Sequence, residues 1–243
     1  MGNAVRVHDL DLDETRDTST RVRAAAVYLF ATRGYAAASI RDIAREVGIT
    51  NAGVYHFVAN KEALLLDLMR EGQRSLSEAA EASLVDVQRP EDRLALLISG
   101  LVGAHLVNRM ISLVTDGEIR ALAPNSDAHD EIVAMRDTYE ALWRQVLRDG
   151  AEEGIFQISD QSMARLALLN MCTGVSEWYD PAGSADLNTI IREFVGIGLA
   201  SVRARRGRRP VTADDVPVVD PGQLPRLPWE PRVRTTLREG SRS

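Results

Sequence analysis

The sequence predicts an all-α protein of about nine helices. Apolar residues recur at every third or fourth position through long stretches rich in Ala, Leu, Arg and Glu, which is the period of amphipathic helices. Strand signals are sparse, because aromatic residues make up only 5% of the chain. With 243 residues and 45% hydrophobic content, the chain has enough apolar material for one or two domains with a substantial core.

The first helix is predicted from Thr18 to about Arg33. Its apolar residues fall on one face at helical spacing: Val22, Ala25, Ala26, Leu29 and Phe30. Residues 1–17 precede this helix and are rich in acidic and polar side chains. We expect them to form a disordered N-terminal arm.

The second helix is predicted to begin after Ser39, because Asp42 three positions later completes a capping signal. Its inward face repeats at helical spacing: Ile40, Ile43, Ala44 and Val47. Gly48 is expected to end the helix, since glycine adopts a left-handed backbone conformation at little energetic cost. Ile49 then points back into the core, and the segment predicts a helix followed by a tight turn.

A third, short helix is predicted after this turn, with Thr50 as its capping residue. Val54 and Phe57 are expected to anchor it inward. The outward face that remains carries small or hydrogen-bonding side chains: Asn51, Ala52, Gly53, Tyr55 and His56. Such groups permit a close approach to the base edges and phosphates of DNA.

Longer helices are predicted through the rest of the chain. Asn60 caps the first of them, Pro90 begins the next, and Gly154 ends another. The expected ranges are 60–84, 90–107, 109–122, 128–153, 160–178 and 186–205. The composition then changes, because six of the nine prolines lie from Pro210 onward. We therefore expect residues 206–243 to form a flexible tail rich in Pro and Arg.

The N-terminal motif resembles the TetR family of bacterial repressors. The resemblance covers about 50 residues and rests on five segments in order: Phe30–Tyr35, Ser39–Ala44, Val47–Thr50, Val54–Phe57 and Lys61–Leu64. Three positions depart from the usual pattern. Gly53 stands where the family often has Thr or Ser, Val58 replaces a usual Phe, and Ala59 replaces a usual Pro.

The resemblance implies a helix-turn-helix DNA-binding domain at 18–64 and a ligand-binding and dimerisation domain at 65–205. It implies a homodimer, formed by the last two helices, that binds a palindromic double-stranded DNA operator. The DNA-binding residues expected on this basis are Arg41, Thr50, Asn51, Ala52, Gly53, Tyr55, His56 and Lys61.

A segment in the second half of the chain resembles the sequences of one subgroup of this family. The run from Asn170 to Gly183 contains Trp178, Tyr179 and Pro181 in a Trp-Tyr-x-Pro-x-Gly pattern, similar to KstR-like and fatty-acid-degradation repressors. The resemblance implies a hydrophobic effector, with an acyl-CoA or steroid-CoA thioester as the leading class. The expected ligand-binding residues are Leu101, His105, Val114, Arg120, Arg136, Tyr139, Trp143, Asn170, Met171 and Trp178.

Two alternatives to the thioester hypothesis are open at this stage. A drug-like or other hydrophobic inducer would suit the same fold, with control of an efflux gene as the outcome. A lipid or small-molecule carrier without operator binding is the second. Each apolar stripe that could bind a ligand also has a simpler interpretation as core packing.

The net charge of −6 is unevenly distributed. Residues 18–75 carry eight bases and five acids, and residues 203–243 carry ten bases and five acids. Residues 76–202 instead carry nine bases and twenty acids. Salt screens electrostatic interactions beyond about 10 Å. DNA at the motif would therefore interact with the local excess of positive charge and not with the net charge of the whole chain.

Other function classes find little support. The single cysteine, Cys172, predicts a small buried hydrophobic residue and no disulfide framework. The four histidines lie at no i, i+3 or i+4 spacing, so no metal site or other cofactor is expected. No catalytic arrangement stands out, which argues against an enzyme. No apolar run of about 18 residues exists, and the N-terminus is acidic, so we expect a cytoplasmic protein with no membrane partner.

Overall fold

The computed structural model describes residues 5–124 and 126–238, with the backbone alone at residues 5–9 and 234–238. The predicted all-α fold is confirmed. The α-helices in chain order are α1 Thr18–Arg33, α2 Ile40–Val47, α3 Asn51–Tyr55, α4 Lys61–Ser83, α5 Pro90–Val107, α6 Arg109–Gly117, α7 Asp127–Glu152, α8 Gln161–Thr173, α9 Val175–Trp178 and α10 Leu187–Ser201. Four short strands are β1 Val5–Asp11, β2 Arg205–Arg206, β3 Arg209–Pro210 and β4 Arg232–Arg238.

Two predicted helices are interrupted in the structure. The helix expected over 109–122 ends at Gly117, and its last turn, Glu118–Ala121, is a 3-10 helix. The helix expected over 160–178 divides into α8 and α9 at Gly174. Both interruptions coincide with a glycine, which lowers helix propensity by about 1 kcal/mol relative to Ala.

The first compact unit comprises the described parts of residues 1–68 and 227–243. In it α1 packs on α2 and α2 on α3, and the predicted inward residues of α1 are buried. β1 pairs antiparallel with β4, from Val5 opposite Arg238 to Asp11 opposite Arg232. The expectation of a disordered N-terminal arm is therefore wrong for residues 5–11, because the strand pairing provides partners for their backbone groups.

The second compact unit comprises the described part of residues 69–226. α5 lies at its centre and packs against α7, α8 and α10. The core holds several of the largest fully buried side chains, including Trp143, Leu94, Leu97 and Ile98. Cys172 is buried there as a free thiol, as predicted, and burial raises its pKa.

Residues 203–226, here called the C-terminal strap, belong to this second unit and pack on α5. Val219 N–H donates to Ser99 Oγ at 3.0 Å, and Asn108 Nδ2 donates to the Pro225 carbonyl at 2.9 Å. A Cβ at Gly103 would lie 2.3 Å from Leu224 Cδ1, so the strap approaches α5 where a side chain is absent.

The expectation of a flexible tail is accordingly wrong over the described residues 206–238. Arg206 forms ion pairs with Glu91 at 2.6 Å and with Asp92 at 2.8 Å. In the first unit, Trp229 and Glu230 are buried close to β4. The Pro and Arg content of the tail did not predict this ordered structure, because its apolar and charged residues contact partners far away in the sequence.

Within residues 5–124 and 126–238, no single helix is both long and apolar enough to cross a membrane. In the same residues, the helix pair Pro90–Val107 and Arg109–Ala121 is long and apolar enough when its two helices are combined, but the pair is bent by 104°.

Candidate functional site

The segment from Ser39 to Tyr55 forms the predicted helix, turn and helix. Ser39 and Asp42 form a reciprocal capping box at the start of α2, and a hydrogen bond to Ser39 lowers the pKa of Asp42. Gly48 ends α2 with φ +75°, a conformation that few other residues adopt. Thr50 Oγ1 then accepts the Gly53 N–H at 3.0 Å and caps α3. These interactions fix the end of α2, the turn after it and the start of α3.

The outward face of α3 brings the predicted DNA-binding residues together. Asn51, Ala52 and His56 are exposed, and the Tyr55 side chain is 54% exposed. Gly53 is half-buried, and a Cβ there would contact Thr50 Oγ1 at 3.4 Å. The face therefore combines two polar side chains, a tyrosine and two small residues on one protruding surface.

Arg41 and Thr50 also lie on the surface of the first unit. Among the described residues no carboxylate lies within ion-pair distance of the Arg41 guanidinium, in contrast to Arg45, which pairs with Asp42 at 3.2 Å. The positive charge of Arg41 is therefore available to an external anion.

The structure corrects one predicted anchor of α3. Val54 is buried as expected, but the Phe57 side chain is 44% exposed, and Val58 occupies the inward position instead. The reason is spacing, because Val58 lies four residues after Val54 and so returns to the same face. Phe57 consequently joins the exposed surface beside Tyr55 and His56.

Lys61 does not point outward as the sequence-based assignment to DNA requires. Its ammonium donates to the carbonyls of Tyr35 and Ala38, each at 2.9 Å. It also lies 4.1 Å from the centroid of the Tyr35 ring. Lys61 therefore ties the start of α4 to the loop between α1 and α2.

We expect Lys61→Met to destabilise the protein by about 1–3 kcal/mol, because two carbonyls lose a charged donor. Urea denaturation followed by circular dichroism measures this change. Arg41→Met is the matched control, since it removes an exposed cation from the same unit and should leave stability unchanged. A Lys61→Met protein of wild-type stability with weakened DNA binding would restore the original assignment.

A cavity of about 290 Å³ lies in the second unit. Residues of α4, α5, α7 and α8 line it, together with Asp116 near the end of α6. Five of the ten predicted ligand-binding residues are among its walls: Leu101, His105, Arg136, Tyr139 and Asn170. The cavity also uses residues that the sequence analysis did not identify: Gln73, Leu76, Asp116, Glu140, Leu169 and Thr173.

The other five predicted ligand-binding residues lie elsewhere. Val114 and Trp143 are fully buried in the core, and Met171 packs partly buried against it. Arg120 is exposed on the 3-10 turn. Trp178 is 58% exposed and stacks on Phe194 with 6.2 Å between ring centroids.

Charged groups form one side of the cavity. His105 Nδ1 faces the Leu101 carbonyl at 2.9 Å, and His105 Nε2 faces Asp116 Oδ2 at 3.0 Å. Both ring nitrogens thus lie within hydrogen-bond distance of an oxygen atom. Arg136 lies 4.0 Å from Asp116 and donates to the Thr115 carbonyl, while burial lowers its pKa.

Asn170 and Arg136 supply N–H groups that can donate hydrogen bonds to a carbonyl oxygen of a ligand. Asn170 is exposed, and its Nδ2 makes one bond, to the Leu166 carbonyl at 2.8 Å, so that the amide has further capacity. Tyr139 is buried, which raises its pKa and keeps its hydroxyl neutral at physiological pH. With Leu76, Leu101 and Leu169, these residues make a small site that is part apolar and part polar.

Three exposed large apolar side chains of the second unit lie on α8 and α10, and Val85 and Trp178 are exposed elsewhere in it. Met163 and Leu166 lie on α8 and are 62% and 43% exposed, and Ile197 on α10 is 53% exposed. Exposed apolar residues that form one contiguous patch are typical of a protein–protein contact.

A helix-turn-helix unit joined through one long helix to an α-helical domain with a ligand-sized cavity defines a class, the ligand-binding transcriptional regulators. Two family models match the chain: "Bacterial regulatory proteins, tetR family" over residues 22–68 and "Tetracyclin repressor-like, C-terminal domain" over residues 87–202. The chain belongs to the TetR family, and it is therefore a DNA-binding transcriptional regulator.

Named relatives are consistent with the predicted subgroup. The HTH-type transcriptional repressor KstR2 of Rhodococcus jostii (strain RHA1) is 26% identical over 180 residues, or 72% of this chain and 88% of that protein. The crystal structure of a bacterial regulatory protein in the tetR family from Rhodococcus RHA1 is 28% identical, with a TM-score of 0.72 over 79% of this chain and all of that chain. The fold also matches AibR in complex with isovaleryl coenzyme A and operator DNA at 23% identity, with a TM-score of 0.65 over 74% and 97% of the two chains.

Proposed function

We propose that this protein is a repressor that binds a palindromic operator as a homodimer and is released by an acyl-CoA or steroid-CoA thioester. The observation that carries the proposal is the position of α4. Gln73 and Leu76 on α4 line the cavity, and the same helix begins at Lys61, six residues after α3 ends at Tyr55. A ligand in the cavity would therefore contact the helix that leads out of the DNA-binding motif.

The DNA-binding part of the proposal is supported by the outward face of α3. Asn51, Ala52 and Gly53 approach base edges in this account, while Thr50, Tyr55 and His56 position the sugar–phosphate backbone. Arg41 adds a phosphate contact. One subunit reads half of the palindrome and its partner reads the other half, with the dimer setting the separation of the half-sites.

The dimer is supported by the apolar surface of α8 and α10. Met163, Leu166 and Ile197 supply side chains that a partner would bury. The same two helices from the partner would complete a four-helix bundle, which is an isologous contact.

The proposed effector class follows from the chemistry of the cavity. Leu76, Leu101 and Leu169 form an apolar side of this cavity of about 290 Å³, and Arg136 and Asn170 place hydrogen-bond donors beside it. An apolar acyl or ring group joined to a polar thioester matches this division. AibR, which has the same fold, is seen with isovaleryl coenzyme A and operator DNA, and that pairing supports a thioester here.

In the proposed mechanism the acyl group occupies the apolar side of the cavity, and Arg136 and Asn170 donate to the thioester carbonyl. Binding then favours a position of α4 that differs from the one in the operator complex. The change alters the separation of the two DNA-reading helices across the dimer and weakens operator binding. Equal separations in effector-bound and DNA-bound structures would refute this step.

We expect Asn170→Ala and Arg136→Met to raise the thioester concentration needed for operator release about tenfold each, because each removes a donor worth about 1–2 kcal/mol. The measurement is fluorescence anisotropy of an operator duplex titrated with the most effective member of a panel of CoA thioesters. Operator affinity without effector should not change, which confirms that each variant folds.

Arg120→Ala is the matched control for this experiment. Arg120 was a sequence-based candidate for the same role, but it lies outside the cavity walls. The proposed site is wrong if Arg120→Ala impairs release and the two cavity variants respond like the wild type.

A further inference from the structure

A second cavity of about 440 Å³ lies between α7 and α8 and has a different character from the first. Its polar walls come from Arg144, Gln145 and Arg148 on α7 and from Gln161, Ser162 and Arg165 on α8. Ala141 and Leu147 complete the lining, and no carboxylate is part of it. We call this site the arginine groove.

The positive charge of the arginine groove contrasts with the domain around it. Residues 76–202 carry nine arginines against twenty acids, yet three of the nine arginines meet in this one cavity. Carboxylates pair with Arg148 and Arg165, whereas Arg144 has no carboxylate partner among the described residues, so the cluster favours an anionic ligand.

The partners of the three arginines leave part of this charge available. Arg144 donates to the Asp137 carbonyl at 3.1 Å, and no carboxylate of the described residues lies within ion-pair distance of it. Arg148 is 53% exposed and lies 3.2 Å from Asp149 and 3.9 Å from Glu152.

Asp149 is also shared with a second arginine, because Arg93 Nη1 lies 3.0 Å from the same carboxylate. Arg165 is largely buried and pairs with Glu140. Arg144 and Arg148 are therefore the two cations best able to accept a new anion.

The groove and the effector cavity are lined by successive parts of the same two helices, α7 and α8. On α7, Arg136, Tyr139 and Glu140 line the effector cavity, and the residues that follow line the groove. At about 1.5 Å per residue, Arg144 and Arg148 lie roughly 7.5 and 13.5 Å beyond Tyr139 along the helix axis. The Glu140–Arg165 ion pair joins the two sites, since each member lines one of them.

We propose that the arginine groove binds the phosphates of the effector. The acyl group enters the first cavity, the pantetheine arm passes over the Glu140–Arg165 pair, and the nucleotide phosphates contact Arg144 and Arg148. Guanidinium groups suit this role because they donate two parallel hydrogen bonds to a phosphate. The inference rests on the proposed function, and it makes the effector a phosphorylated conjugate, not a plain hydrophobic compound.

The groove can be tested without knowledge of the acyl group. Isothermal titration calorimetry at fixed ionic strength compares coenzyme A, which carries the phosphates, with pantetheine, which carries none. We expect coenzyme A to bind and pantetheine to bind at least a hundredfold more weakly. Arg144→Ala and Arg148→Ala should each weaken coenzyme A binding about tenfold, and the double variant about a hundredfold.

Both substitutions are at exposed positions and should leave folding intact, which thermal unfolding verifies. Arg89→Ala is the matched control, because it removes an exposed guanidinium from the same domain outside both cavities. Its affinity for coenzyme A should equal that of the wild type.

Three results would overturn the proposal: coenzyme A fails to bind at millimolar concentration, pantetheine binds equally well, or the double variant keeps wild-type affinity. Displacement of coenzyme A by an equal concentration of inorganic phosphate would also overturn it, by showing a non-selective anion site. If the arginine groove does not bind phosphates, the proposed function is still tested by operator release, because a thioester could act through the first cavity alone.

Discussion

Tyr55→Ala is expected to lower operator affinity about a hundredfold. Tyr55 lies on the exposed face of α3, and its loss removes one phosphate or base contact worth roughly 1–1.5 kcal/mol from each half-site. Because a dimer on a palindrome uses two copies of α3, the losses double to about 3 kcal/mol, or about two orders of magnitude. Fluorescence anisotropy with an operator duplex at fixed salt measures the change.

The substitution should act on binding alone. The Tyr55 ring is 54% exposed, so its removal should change the free energy of unfolding by less than about 0.5 kcal/mol. Tyr55→Phe separates the hydroxyl from the ring, and we expect it to retain part of the affinity. Operator affinity within twofold of wild type for Tyr55→Ala would mean that this face of α3 does not meet DNA.

Arg206→Ala is expected to destabilise the second unit by about 2–4 kcal/mol. Arg206 Nε lies 2.6 Å from Glu91 Oε1, and the Glu91 side chain is only 3% exposed. Without the guanidinium this carboxylate is buried and unpaired, which is costly in a site of low dielectric. The expected value is below that of a fully buried pair because the Arg206 side chain is 35% exposed.

Arg209→Ala provides a control from the same hairpin. Arg209 pairs with Asp215, but its side chain is 71% exposed, so its loss should cost less than about 1 kcal/mol. Chemical denaturation monitored by circular dichroism compares the two variants with the wild type. Equal stabilities for Arg206→Ala and Arg209→Ala would contradict the anchoring role of the C-terminal strap.

The parts of the fold that the sequence predicted well depend on interactions within four residues. The Ser39–Asp42 capping box, the Thr50 cap and the Asn60 cap of α4 each involve a side chain and a nearby N–H group. The left-handed turn at Gly48 is equally local. Such features can be identified from residue types and spacing alone.

The features that the sequence missed depend on distant partners. β1 and β4 pair across more than two hundred residues, and their composition gave no indication of the pairing. Arg206 meets Glu91 across a separation of 115 residues. The error at Phe57 is local, since Val58 bonds back to the Val54 carbonyl four residues earlier and takes the buried position instead.

The candidate ligand-binding residues divide according to the same logic. An apolar residue at helical spacing is consistent with a core position or a cavity wall, and Val114 and Trp143 proved to be core. Leu101 and His105, one turn apart on α5, both reached the cavity. Asp116 went unnoticed because only the folded chain brings it to His105, at 3.0 Å.

The most direct test of ligand-responsive repression is fluorescence anisotropy of the protein on its own upstream DNA, with and without a panel of acyl-CoA and steroid-CoA thioesters. We expect tight binding that resists competitor DNA and is abolished by at least one thioester of the panel. Binding that competitor DNA removes, or specific binding that every thioester leaves unchanged, would contradict it.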